Sequence, residues 1–116
     1  FYPSLMNYNN KYFKPVQTSI NGETTDETIF HYKQSGSIIT ANYQGGKILK
    51  GHLIGIVDSE GHISMRYHQV NTKGELMTGI CESTPEVLSN GKIRLHEEWK
   101  WTSGDCSYGK SIVEEI

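Results

Sequence analysis

The sequence predicts an all-β protein built as a single up-and-down antiparallel β-barrel of about eight strands, and three observations point there. Twelve glycines recur along the 116 residues, most of them inside short turn-like clusters. Between the clusters lie runs of roughly 8–12 residues rich in Ile, Val, Thr, Tyr and Trp, the pattern of successive antiparallel strands. Eight such strands in one open sheet would expose two edges and a whole face, and closure removes both liabilities.

In chain order the runs are 11–20, 27–34, 37–44, 47–58, 62–71, 75–84, 92–103 and 110–116. Their punctuation is "NGET", "SG", "GG", "DSEG", "NTKG", "SNG" and "SGDCSYG". Every connection except the first and last is short, so each strand pairs with its predecessor, and the terminal runs pair to shut the barrel. A two-residue turn at Ser35–Gly36 sets Tyr32 opposite Ile39 and Phe30 opposite Ala41.

In "DSEGH" and "NTKGE" a glycine ends the turn, which suits a three-residue loop with Gly in the left-handed region. Asp58 then faces His62, and Asn71 faces Glu75. The same count sets Tyr67 opposite Gly79, Met65 opposite Cys81 and Gln69 opposite Met77. A three-residue loop at Ser89–Gly91 sets Cys81 opposite Trp99 and Gly79 opposite Trp101. Two alternatives stay open at this point: a two-residue "NG" turn, and a bulge at Pro85 that resets the register.

The inner face of the fourth run reads Leu49, Gly51, Leu53, Gly55, Val57, and that of the seventh Ile93, Leu95, Glu97, Trp99, Trp101. The outer face of the seventh, Arg94, His96, Glu98, Lys100, is polar, as one-sided burial requires.

The formal net charge of -2 and the scattered Lys and Arg give no basic patch, which argues against nucleic acid or an anionic membrane as partner. The longest apolar stretch, around 53–57, is far shorter than a membrane-spanning helix. No signal-peptide pattern opens the chain, so the expected location is cytoplasmic. Residues 1–5, "FYPSL", read as a tag remnant or an N-terminal extension, and 6–116 as one barrel domain. Cys81 and Cys106 form no redox or metal motif and are expected as free thiols.

The stretch "GDCSYGKS" fits the phosphate-loop pattern G-x-x-x-x-G-K-[ST] letter for letter. That motif needs a following helix whose N-terminus faces the phosphates. Here Ile112, Val113 and Ile116 favour a strand, so a glycine-rich hairpin loop explains the letters. The five histidines show no metal-ligand spacing, and no metal or other cofactor is expected.

Glu97 falls between Leu95 and Trp99 on the inner face. A carboxylate buried there without a partner has a raised pKa and is a candidate acid, base or ligand anchor. The plainer alternative is a place near the barrel mouth, or a hydrogen bond to Tyr67 or Gln69. The inward set also holds Tyr32, Tyr43, Cys81 and Ser83 beside glycines. Polar-tipped aromatics facing small residues read as a pocket lining; tyrosines bonded to one another around buried water are the alternative.

The segments "TKGELMTG" and "EEWKWTSGD", with "ETIFHYKQSG" and "GHLIGIVDSEG" upstream, resemble a family of short bacterial proteins. Its members are catalogued as N-acetylglutamate synthase and are small barrels of lipocalin-like or avidin-like (calycin-like) type. The resemblance spans 6–116, implies the barrel fold, and carries over no catalytic residues. The Q/R-x-x-G-x-G/A loop that acetyl-CoA-dependent transferases use has no counterpart here.

The expected function is binding of a small molecule inside the barrel without catalysis, by a monomer or small homo-oligomer. Tyr32 and Trp99 supply apolar walls, and Tyr67, Gln69 and Glu97 fix orientation by hydrogen bonding. The alternatives are an N-acetylglutamate synthase using Glu97 as acid or base, and an interaction module with a packed barrel whose outer face, marked by outward Ile54 and Ile56, or loop Gly104–Gly109 contacts a partner.

Overall fold

The computed structural model describes residues 6–116; the expectation for residues 1–5 lies outside them. The strands are β1 (Lys11–Thr18), β2 (Ile29–Ser35), β3 (Ile38–Gly45), β4 (Ile48–Val57), β5 (Ile63–Asn71), β6 (Leu76–Val87), β7 (Ile93–Trp101) and β8 (Tyr108–Glu115). They form one closed antiparallel barrel in sequence order, and β8 pairs with β1 to shut it.

Local turn chemistry sets most of the register. Gly61, Gly74 and Gly91 have φ of 87°, 76° and 85°, and each closes a short loop. The backbone of Asp58 bonds that of His62, Asn71 bonds Glu75, and Leu88 bonds Lys92. The expected pairs Met65 with Cys81, Tyr67 with Gly79, and Cys81 with Trp99 all form. Pro85 causes no shift: it pairs with Leu95 beyond Ser83, the last residue of β6 matched to β5. There its missing N–H costs no bond to β5.

Two expectations are corrected. The β2–β3 turn is Gly36–Ser37, so Tyr32 faces Ala41 and Phe30 faces Tyr43. Gly36 carries φ of 60° and takes the first central position, where a two-residue turn of type II′ demands glycine. The shift is two residues, so the same side chains remain inside. In β4 the inward residue is Ile48, and Leu49 is exposed. A bulge between Ile48 and Lys50 inserts one extra residue and reverses the alternation there.

The barrel interior falls into two parts. At the end formed by the β2–β3, β4–β5 and β6–β7 turns it is solid. Tyr8, Phe13, Tyr32, Ile39, Ile63, Leu95 and Val113 are all at or below 2% exposure there. Tyr8 crosses this end as a plug, its hydroxyl donating to the Gly61 carbonyl at 2.6 Å and its amide to Gln34 Oε1 at 2.8 Å. The opposite end is lined by polar and aromatic side chains.

The last strand disposes of the phosphate-loop match. Gly104 lies in the β7–β8 connection with φ of 63°, and Tyr108 onward is extended. Ser111 is an inward strand residue opposite Glu97.

Candidate functional site

A cavity of about 50 Å³ opens within the second half of the barrel. Its walls include Phe30, Tyr43, Tyr67, Trp99 and Trp101, and Glu97 and Ser111 line it as well. Two-residue alternation along β7 carries Glu97, Trp99 and Trp101 to this face in succession. Phe30 stacks on Tyr43 at 4.6 Å between ring centres, and Trp101 meets Tyr67 and Trp99 edge-on at 5.6 Å and 5.7 Å. Glycines make room for the rings. A Cβ at Gly79 would overlap the Tyr67 ring, one at Gly51 the Tyr43 ring, and one at Gly109 the Trp99 indole.

Glu97 is the chemical centre of the cavity. Ser111 Oγ donates to its Oε1 at 3.0 Å from β8, and Ser83 Oγ donates to its Oε2 at 3.1 Å from β6. Burial pushes its pKa up to about 7, against the downward pull of the Ser111 and Ser83 hydrogen bonds. Residue surface makes Glu97 only half-buried. Part of that surface lines the cavity, and the carboxylate itself is desolvated. Each oxygen takes one seryl hydrogen, which leaves about two of a carboxylate's four acceptor positions unfilled by protein.

The tyrosines and the thiol beside Glu97 are neutral at pH 7. Burial raises the hydroxyl pKa of Tyr32, Tyr43 and Tyr67 and the thiol pKa of Cys81, and the Glu97 charge adds to each shift. Cys81 and Cys106 are free thiols, the first buried and the second exposed.

The mouth is covered by the β1–β2 connection, residues 19–28. Glu23 reaches over the rim, where Gln69 Nε2 donates to its Oε1 and Asn71 Nδ2 to its Oε2, both at 2.7 Å. Tyr43 donates to Gln69 Oε1 at 2.8 Å, which fixes the amide orientation. One turn earlier the Trp101 indole donates to the Asn21 carbonyl at 3.1 Å, and Asn21 Nδ2 donates to Ser107 Oγ at 2.9 Å.

Of the residues singled out from sequence, Tyr67, Gln69, Glu97 and Trp99 come together on the cavity wall. Tyr32 does not. It lies one inward position farther along β2, 4.9 Å from Phe13 and 6.1 Å from Tyr8 between ring centres, within the packed end. The partners of Glu97 are two serines, and neither Tyr67 nor Gln69 bonds it. Glu23, Asn21 and Asn71 join the site only through the fold. Glu23 and Asn21 stand in "NGET", whose only local signal is that of a turn.

Among known proteins, no curated protein and no solved structure gives a significant match to the chain. The family described as "Avidin-like protein" matches residues 6–116, every residue of the barrel described above. With that coverage and a closed eight-stranded up-and-down barrel, the chain belongs to the avidin-like protein family.

Proposed function

We propose that the protein binds a small molecule, without catalysis, in the cavity beneath residues 19–28. The observation that carries this reading is Glu97, a desolvated carboxylate with unfilled acceptor positions on the wall of an aromatic cavity. Trp99 supplies an apolar wall, and Tyr67, Gln69 and Glu97 supply polar contacts. A site of this kind, mostly apolar with a few convergent polar groups, is what small-ligand recognition uses.

Native mass spectrometry of protein purified from its own host, followed by denaturing release, tests it. A stoichiometric small molecule supports the reading. A bare mass, together with no saturable shift from added small solutes, overturns it.

Two further readings rest on particular observations. A carboxyl that titrates near neutrality suits a general base, which favours the N-acetylglutamate synthase implied by the catalogue name. Product formed from acetyl-CoA and glutamate, and lost in Glu97→Gln, would establish it. The exposed Ile38, Ile54 and Ile56 on adjacent β3 and β4 favour an interaction module. A mass in solution that rises with concentration would support that reading.

A further inference from the structure

We propose that the cavity takes a small organic cation bearing N–H donors, of the guanidinium or alkylammonium class. The inference rests on the small-molecule reading above and names the ligand's charge and size.

Charge is the first argument. Glu97 and Glu23 both line the cavity, and among the described residues no Lys, Arg or His does so. The cations of the neighbouring strands belong to the outer face. Arg94 pairs with Glu114 at 2.6 Å, and Lys110 pairs with Glu98 at 3.5 Å. Lys100 alternates outward between the inward Trp99 and Trp101. Facing Glu97 from the other elements are Tyr32 on β2, Tyr43 on β3, Tyr67 on β5, Cys81 and Ser83 on β6 and Ser111 on β8. All are neutral at pH 7, so an ionised Glu97 has only hydroxyl partners. Burying a carboxylate that way is costly, and a bound cation offsets the cost.

The wall chemistry agrees. Phe30, Tyr43, Tyr67, Trp99 and Trp101 surround the same space, and aromatic faces attract cations within about 6 Å of the ring centre. A carboxylate or phosphate would instead meet two like charges and electron-rich rings. A neutral amide can satisfy the acceptors but leaves the charge on Glu97 uncompensated.

Size narrows the class. The cavity of about 50 Å³ is small, so the compact guanidinium ion is the probe, and urea is its neutral analogue of nearly the same shape. A longer ligand would need residues 19–28 to lift from Gln69 and Asn71.

The test is a titration of the intact protein with guanidinium, urea and acetate at constant ionic strength. The readouts are the indole N–H resonances of Trp99 and Trp101, the two tryptophans of the chain, and the Gln69 side-chain amide. Guanidinium is expected to shift them saturably, with urea at least about tenfold weaker and acetate inert. Because the carboxylate form is the binding form, guanidinium affinity should fall about tenfold per pH unit below roughly pH 6 and level off above roughly pH 8.

Glu97→Gln should lose at least about tenfold in guanidinium affinity, and Glu23→Gln a smaller factor of about three. Should Glu97→Gln fail to fold, the charge series and pH profile of the native protein still decide. Urea or acetate binding as tightly as guanidinium, or a flat pH profile, overturns the cation class and leaves a small-molecule site standing. No saturable shift with any of the three overturns the cation class, and the native mass of protein from its own host then decides the small-molecule reading.

Discussion

Ser111 on β8 donates its hydroxyl hydrogen to Glu97 Oε1 on β7 at 3.0 Å, directly across the strand pair. With Ser83 on the other flank, the bond holds a desolvated carboxylate in one orientation within the barrel. A group so placed links proton uptake to stability.

The stability consequence has a definite sign. Burial raises the Glu97 pKa from 4.5 to about 7, so across that window the folded protein holds a proton that the unfolded chain has lost. Glu97 therefore stabilises the fold least at high pH: stability falls as pH rises from about 4.5 through about 7, by up to ~3 kcal/mol. In Glu97→Gln this contribution to the slope should vanish, and the variant should exceed the native protein in stability near pH 8. Urea midpoints measured across the window check this, and an unchanged slope in the variant would assign the titration elsewhere.

The cover over the mouth depends on Glu23. Removing its carboxylate in Glu23→Ala leaves the Gln69 amide without its carboxylate acceptor, while Asn71 Nδ2 keeps Glu75 Oε1 at 2.9 Å. A loss of about 1.5–3 kcal/mol is expected, the range for a hydrogen bond to a charged group. Hydrogen exchange should quicken through residues 19–28 while the Tyr8 end stays protected. Uniform quickening over the whole barrel would show that the cover has no independent stability.

Gly79 and Tyr67 share one site across β5 and β6. A methyl at Gly79 would overlap the Tyr67 ring end, and the space free to receive the displaced ring is the cavity itself. Gly79→Ala should cost about 1–3 kcal/mol, the usual range for overpacking, and should also abolish small-ligand binding. Thermal melts and the guanidinium titration measure the two effects separately. Native-like binding in this variant would show that Tyr67 does not border the ligand.

The two thiols should separate by reactivity. Cys106 is exposed, whereas burial raises the Cys81 thiol pKa and disfavours its thiolate. Iodoacetamide should modify Cys106 alone in the folded protein and reach Cys81 only on unfolding. Mass spectrometry of the intact and unfolded chain reads this directly.

Much of the barrel is legible because its signals are local. Glycines at Gly61, Gly74 and Gly91 mark three-residue loops, and from them strict alternation carries the register across β4 to β7. That count alone places Glu97 inside. It fails at the "SG" turn, where the order of two neighbouring residues decides which enters the loop. It fails again at Leu49, because a bulge answers to its neighbours on both sides and leaves no mark in periodicity.

Strand number, meander order and closure follow from alternation and turn chemistry, which act over a few residues. Which end is solid and which is hollow follows from long-range contacts. Tyr8 plugs one end by reaching Gly61, 53 residues away, and Glu23 covers the other by reaching Asn71 across 48 residues. Contacts of that range arise when closure brings distant segments together, and neither composition nor spacing near Tyr8 or Glu23 records them.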